Sequence, residues 1–258
     1  MNLELEKKFS QANLPVQIFD NPKDAGFNRG FGSNNTDIFQ MSIREIDGIE
    51  YFILCTGKSN EVNIIDVNKE ERQVILELLE PEREFTRYEW IKGKRHEIID
   101  TTPPELRKYL IGHDEISLFM CELPSTESNT VKEAHEELKP RRVKKLKRAN
   151  IKRQGEWFFV PISKSEKAIL HRGMIIYNKQ IEGSAGKPHM ASEIVYIRNR
   201  SEARLSTIER LSHQFVRGSI THPDHFPLEL RKWHRVYRNL EVQRRGSNGI
   251  SIIHGWID

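Results

Sequence analysis

The stretch EYFILCTGKSNEVNIIDVNKEERQVILELL, residues 50–79, decides the fold class. Three apolar or alternating runs, Glu50 to Thr56, Val62 to Val67 and Gln73 to Leu79, are separated by polar segments that favour turns. Short runs rich in Ile, Leu and Val are typical of strands. A similar run, Ile38 to Ile46, precedes them. This part of the sequence therefore predicts an antiparallel meander in a mainly β front half.

Outward from this meander, the sequence predicts a few short helices among further strands. Helices are predicted at 2–12, Pro104 to Leu110, Val131 to Leu138 and 203–211. The second has Thr102 as its cap and Gly112 as its end. Strands are predicted at Ile116 to Leu123, Glu156 to Pro161, Met174 to Tyr177, Ile194 to Ile197, Phe215 to Thr221, Leu228 to Tyr237 and Ile250 to Trp256. The predicted class is α+β, rich in antiparallel strands, with two modules and a few short helices.

The composition is that of an ordinary globular protein of 258 residues, with 37% hydrophobic and 30% charged residues. The sequence contains no apolar run near the roughly 18 residues that span a bilayer, and its first residues lack the apolar core of a signal peptide. Cys55 and Cys121 lie in apolar runs, which predicts two reduced core thiols. We therefore expect a cytoplasmic protein without membrane contact.

Charge divides the chain into two unlike parts. Residues 1–138 carry 16 Lys and Arg against 27 Asp and Glu, a net charge of −11, whereas residues 139–258 carry 25 against 10, a net charge of +15. The predicted organisation is an acidic, mainly β module (1–138), a basic linker or arm (139–153) and a basic α+β module (154–258). Such asymmetry indicates a nucleic acid, an anionic surface or docking of the two halves.

The segment 139–153 contains nine basic and no acidic residues. Such a density of positive charge is typical of a phosphate-binding stripe, a solvated face or a surface that docks on the acidic half. The absence of recognition-helix and zinc-finger patterns favours RNA or single-stranded DNA, whose unpaired bases stack on aromatic rings and Arg. The residues predicted to contact nucleic acid are Arg141, Arg142, Lys144, Lys145, Lys147, Arg148, Lys152, Arg153, Trp157, Arg217, Trp233 and Arg235.

The second signal is THPDH, residues 221–225. A four-residue turn with Pro and Asp at its centre would bring the Cα atoms of His222 and His225 within roughly 7 Å. Asp224 would then orient an imidazole or bind a metal. Two imidazoles need a third ligand, since catalytic zinc usually has three protein ligands. The sequence therefore predicts half of a site at this turn.

Two other histidines are candidates for the missing group. His234 lies nine residues beyond His225, roughly 30 Å along a strand at ~3.3 Å per residue, and joins the pair only if the chain bends. His189 has Glu193 four residues on, and these positions share a face in a helix and in a strand. Three interpretations stay open: a surface turn with a capping or core His189, a divalent metal site, or metal-free acid/base catalysis.

The remaining motifs give weaker evidence of a functional site. GHDE, residues 112–115, brings three ionisable groups together, but a turn explains it. The segment GSAGKP lacks the spacing and the Ser or Thr of a phosphate-binding loop, and the sequence has no HExxH motif or CxxC pair.

Four segments carry a resemblance: KRQGEWFFVP (152–161), GKPHMASE (186–193), FVRGSITHPDH (215–225) and LRKWHRVYRN (230–239). Together they resemble an uncharacterised group of bacterial and phage proteins. The resemblance implies that these segments belong together, and it supplies neither an activity nor catalytic residues.

The function predicted is a nucleic-acid-binding protein, with nuclease-type phosphodiester hydrolysis centred on His222, Asp224, His225, His189 and His234. The tentative metal ligands are His222, His225, His189 and Glu193, for a divalent cation. The alternative is a non-catalytic assembly or regulatory protein of phage or mobile-element type whose acidic half binds a protein partner.

Overall fold

The computed structural model describes residues 2–26, 37, 39–91, 93–146, 150–171, 173–183, 187–197 and 214–242. It is 54% strand and 14% helix, with antiparallel sheets and short helices, which confirms the predicted α+β class. Helices α1 to α4 are Asn2–Gln11, Val131–Leu138, Arg141–Lys144 and Lys164–Leu170. Strands β1 to β9 are Val16–Phe19, Gln40–Ile46, Ile49–Cys55, Glu61–Asn68, Gln73–Glu80, Arg83–Ile91, Lys94–Thr102, Glu105–Asp114 and Ser117–Glu122. Strands β10 to β15 are Lys152–Gln154, Trp157–Pro161, Ile175–Gln180, Met190–Tyr196, Gln214–His222 and His225–Arg238.

Two sheets enclose the core of the front part. One has the order β1-β3-β2, with β1 parallel to β3, and the other has the antiparallel order β4-β5-β8-β9. Their facing side chains and α1 bury Phe9, Phe52, Leu76 and Tyr109 completely. The predicted strands of the meander are therefore present. They are divided between two sheets, because β3 and β4 do not pair with each other.

The predicted helix from Pro104 to Leu110 is wrong. This segment belongs to β8, which pairs with β5 on one side and β9 on the other. Residues 107–112 of β8 are all buried, with Tyr109 and Ile111 in the apolar cluster on one face and Leu110 in that on the other. Tertiary pairing and burial outweigh the local capping signal from Thr102 and the two prolines.

Helix α2 covers the outer face of the four-stranded sheet. It confirms the helix predicted from Val131 to Leu138. Thr130 and Glu133 form a capping box at its start. Its residues Val131, Ala134 and Leu138 pack on a cluster that includes Cys121. Cys55 and Cys121 are both buried free thiols, as predicted, and burial raises the pKa of Cys55 to about 11.

The back part is one antiparallel sheet with the order β10-β11-β15-β14-β13-β12. One face carries the larger apolar cluster, which includes Trp157, Ile194, Val216 and Val236. The described strands confirm the predicted runs near 156–161, 174–177, 194–197, 215–221 and 228–237. The predicted helix at 203–211 and the predicted strand at Ile250 to Trp256 lie outside the described residues.

The front and back parts contact each other directly. The backbone N–H of Leu240 donates to Leu138 O (2.9 Å), and that of Val242 donates to Glu122 O (3.1 Å). The basic segment between the two parts is anchored by Val143, which is buried in a cluster with Phe158. The longest described helix, α1, has 10 residues, so none of the described helices spans a membrane.

Candidate metal centre

Three histidine side chains meet at one end of the apolar face of the back sheet. His189, His222 and His225 each offer a ring nitrogen, and these three nitrogens lie within 4.8 Å of one another. The three side chains are buried, with relative exposures of 0%, 7% and 4%. Among the described residues, this is the one group with metal-ligand spacing.

The β14–β15 hairpin supplies two of them. His222 ends β14, His225 begins β15, and the two residues are paired across the turn formed by Pro223 and Asp224. Their ring centroids are 5.0 Å apart. The turn predicted from THPDH is therefore confirmed, and it brings two imidazoles together as its chemistry requires.

The third imidazole, His189, comes from the residue before β13. Its backbone O accepts a hydrogen bond from Ile181 N (2.8 Å), which fixes this approach to the sheet. The ring stacks on His222, with 4.1 Å between centroids, and lies edge-on to Trp157. His189 and the hairpin are adjacent because β13 pairs with β14, where Met190 lies opposite Thr221.

Hydrogen bonds distinguish the nitrogens of His222. Nε2 lies 3.0 Å from Lys187 O and must donate, because a carbonyl oxygen only accepts. The lone pair is then on Nδ1, which accepts from Asp224 N at 3.2 Å, so a cation bound at this atom would replace that hydrogen bond. A backbone carbonyl that holds the second ring nitrogen in this way is common behind metal-ligating histidines.

His189 presents both ring nitrogens without a hydrogen-bond partner among the described residues. Buried polar atoms are nearly always hydrogen-bonded, and an unsatisfied one costs about 1–3 kcal/mol. Burial and the charges of His222 and His225 lower the pKa of His189 to about 2. The imidazole is therefore neutral at pH 7, with a lone pair available to a cation.

A glycine leaves room beside these nitrogens. Gly155 joins β10 to β11 with a left-handed φ of +53°, and a β-carbon added there would lie 2.8 Å from His225 Nε2. The same β-carbon would be 3.4 Å from His189 Nε2. The Nε2 atoms of two histidines thus face one small space that any other residue would fill.

Each imidazole also has a carboxylate nearby. Oε2 of the buried Glu156 is 3.9 Å from His189 Nδ1, and Oε2 of Glu115 is 3.7 Å from His225 Nδ1. Asp224 Oδ2 is 4.0 Å from His222 Nδ1, and its carboxylate also receives Lys187 Nζ at 2.7 Å. Three imidazoles, each with a carboxylate within 4.0 Å, suit a divalent cation.

Two predicted partners of the site lie elsewhere. His234 is in the middle of β15, paired with Val216 and hydrogen-bonded to Lys232 O, and it is outside the cluster. Glu193 is also outside it and forms an ion pair with Arg217 (2.6 Å). The predicted His189 and Glu193 pair is therefore not formed.

A bulge explains the position of Glu193. The register of β13 shifts between Ala191 and Glu193, so Ala191 and Ile194 face the same apolar cluster although they are three residues apart. The side chain of Glu193 consequently points to the opposite face from His189. Positions i and i+4 share a strand face only where the alternation is regular.

The residues predicted to contact nucleic acid divide into side chains that are exposed and side chains that are buried or held in ion pairs. Trp157 is completely buried and cannot stack on a base, so its assignment is wrong. Arg217 is paired with Glu193 and lies 4.8 Å from the ring of Trp233, and Arg235 is paired with Glu166. Arg153, in β10, pairs with Asp114. Exposed positions are Arg141, Arg142, Lys144, Lys145 and Lys152, whereas Lys147 and Arg148 lie outside the described residues.

Three residues of the site were missed from the sequence: Gly155, Glu156 and Glu115. The first two form the turn in RQGEWFF, where a Gly between two strand runs signals a tight turn without revealing what faces it. Glu115 belongs to GHDE, for which the sequence favours a turn over a functional role. Its approach to His225 depends on contact between the front and back parts, which no local pattern encodes.

Comparisons with protein-family models, curated proteins and solved structures gave no match. The resemblance to a bacterial and phage group therefore stays a prediction.

Proposed function

We propose that this protein binds a divalent transition metal, with Zn²⁺ preferred, through His189, His222 and His225, and that the metal centre serves a nucleic-acid-binding protein that hydrolyses phosphodiesters. The observation that supports a metal site is the convergence of three buried ring nitrogens within 4.8 Å. Imidazole ligands suit zinc and its neighbours, whereas calcium and magnesium require oxygen ligands.

The number of histidines favours a catalytic arrangement. Catalytic zinc sites commonly use three protein ligands and leave a fourth position for water, whereas structural sites use four. A bound zinc would lower the pKa of that water toward neutrality and so supply a hydroxide. The space beside Gly155 is where the cation would lie, since two Nε2 atoms face it.

The protein's own carboxylates would position the ligands. Glu156 is buried close to His189, and Glu115 is partly exposed beside His225, so each is placed to hold a proton on the Nδ1 atom that it faces. Lys187 pairs with Asp224 at the rim of the site, where its exposed ammonium group would donate to a phosphate.

Support for nucleic acid comes from the distribution of charge. The positive side chains of 141–145 and Lys152 are exposed, in a part of the chain with a net charge of +15. Clusters of this kind bind phosphates by releasing counterions. RNA or single-stranded DNA remains the favoured partner. A cytoplasmic location is part of the proposal, because buried reduced thiols are typical of that compartment.

A second candidate function, without catalysis, is supported by the burial of the three histidines. All three imidazoles are at most 7% exposed, which is typical of a metal that holds a fold together. The protein would then be the non-catalytic assembly or regulatory protein predicted as the alternative, with its acidic half engaging a protein partner. Metal would stabilise such a protein without catalysing a reaction.

The test of the metal combines zinc titration against a chromogenic chelator with metal analysis of the purified protein. We expect one zinc per chain in the wild type and none in the double variant His222→Ala, His225→Ala. His234→Ala is the matched control, since His234 is a buried histidine of the same strand outside the cluster. Failure of the wild-type protein to bind zinc or cobalt would overturn the proposal.

The test of the reaction uses labelled single- and double-stranded RNA and DNA, with zinc or with EDTA. Cleavage that needs metal and is lost in the double histidine variant supports a hydrolase. A salt-sensitive mobility shift without cleavage supports the binding module. Neither cleavage nor a shift would contradict the nucleic-acid part of the proposal.

A further inference from the structure

The turn between β8 and β9 reaches from the front part to two of the hairpins beside the metal centre. Oε2 of Glu115 accepts a hydrogen bond from Phe226 N (2.6 Å), directly after His225 in the β14–β15 hairpin. Oδ2 of the preceding residue, Asp114, accepts from Arg153 Nη2 at 3.3 Å in the β10–β11 hairpin. Two consecutive carboxylates of the acidic half therefore hold two separate hairpins of the basic half.

The contacts of Glu115 and of Asp114 both lead to residues that lie beside the metal centre. Besides its bond to Phe226, Glu115 lies 3.7 Å from His225 Nδ1, on the far side of the ring from the space beside Gly155. Arg153 donates through Nε to Gly155 O at 2.9 Å, so Asp114 acts on the glycine that leaves room for a cation. The backbone of Glu115 has a left-handed φ of +53°, uncommon for a residue with a side chain.

We infer that Glu115 and Asp114 are positioning residues for the metal centre, so that the site is complete only when the front part is docked on the back part. Glu115 sets the orientation and basicity of His225, and Asp114 fixes the β10–β11 turn through Arg153. This inference rests on the proposed function. By linkage, a metal that binds better to the docked form also stabilises the docking.

The test compares Glu115→Gln with Glu50→Gln in the full-length protein. Both glutamates belong to the front part and both accept a backbone N–H, Glu50 from Leu118 N at 2.7 Å and Glu115 from Phe226 N. Gln keeps an oxygen that can accept this bond and removes the charge. Loss of the charge near His225 is expected only in the Glu115 variant.

We expect Glu115→Gln to lower zinc affinity by about 10- to 100-fold, as is usual when the partner of a metal-ligating histidine is replaced. The visible absorption of the Co²⁺ form should also shift, because the field of His225 on the metal changes. Glu50→Gln should leave both unchanged. Thermal melting in EDTA shows whether each variant is folded, and Asp114→Asn provides a second variant if Glu115→Gln fails to fold.

The outcomes separate the inference from the proposed function. If the wild-type protein binds neither zinc nor cobalt, the metal centre itself is refuted. If the wild type binds zinc, and Glu115→Gln and Asp114→Asn bind it as tightly and with the same cobalt spectrum as Glu50→Gln, the metal centre stands and the inference is overturned.

Discussion

Replacing Gly155 with Ala tests the space beside the three histidines. The added β-carbon would lie 2.8 Å from His225 Nε2 and 3.3 Å from His189 Cε1, so at least one ring must shift by several tenths of an ångström. Metal–ligand distances tolerate only about 0.2 Å. We expect zinc affinity to fall at least about 100-fold, equivalent to about 2.7 kcal/mol.

The same substitution also strains the backbone, and this effect needs its own control. An L-residue in the left-handed region costs roughly 1–2 kcal/mol. Gly48 has a φ of +79°, and a β-carbon added there meets nothing within 4 Å. Gly48→Ala therefore carries the strain of a side chain at positive φ without the steric contact at the site.

The assay is zinc competition with a chromogenic chelator, together with urea unfolding of both variants in EDTA. Both should lose stability through strain, with a larger loss for Gly155→Ala because of overpacking. Only Gly155→Ala should lose zinc affinity. If Gly155→Ala is folded and binds zinc as tightly as Gly48→Ala, the cation does not occupy the space between the two Nε2 atoms.

Two other perturbations address residues outside the histidine cluster. Burial, followed by the charge of Arg153, lowers the pKa of His135 to about 4, so between pH 6.5 and 4 the unfolded state binds more protons than the folded state. Stability contributed by neutral His135 is present above pH 6.5 and is lost as the pH falls toward 4, by up to about 3 kcal/mol. In urea unfolding across this range, His135→Gln should show a smaller loss than the wild type, and equal losses would contradict the assignment. Joint replacement of Arg141, Arg142, Lys144 and Lys145 by Gln should reduce the slope of log affinity against log salt for single-stranded RNA by roughly 3, from about 0.7 per phosphate contact, and an unchanged slope would exclude this segment as the binding surface.

The local sequence pattern was sufficient to predict most strands and one half of the site. THPDH predicted its turn because Pro and Asp have fixed preferences there, and the adjacency of His222 and His225 followed from the turn alone. The position of Glu193 was wrong because a bulge at Ser192 reverses alternation, and nothing in MASEIVY marks it. Residues 104–110 were assigned to a helix because caps act locally, whereas pairing with β5 and β9 is decided by residues far along the chain.

The third histidine and the carboxylates illustrate the same limit at longer range. His189 reaches the hairpin through the pairing of β13 with β14, across a gap of more than 20 residues in the sequence. Glu115 reaches His225 across more than 100 residues and across the boundary between the acidic and basic parts. A sequence pattern can supply the residue types for such a site, but only the assembled sheets determine which of them meet.

The charge asymmetry of the chain has two explanations that the structure makes compatible. Where the halves dock, Arg153 pairs with Asp114, and Phe226 N donates to Glu115. Part of the opposite charge of the two halves is therefore neutralised inside the molecule. The side chains of Arg141, Arg142, Lys144 and Lys145 remain exposed, whereas Val143 is the buried residue of helix α3 and packs on the sheet. The same basic segment therefore contacts both halves, through Val143 and Arg153, and keeps exposed positive side chains. If docking and binding are separate in this way, removing the exposed charges should weaken nucleic-acid binding and leave zinc affinity unchanged.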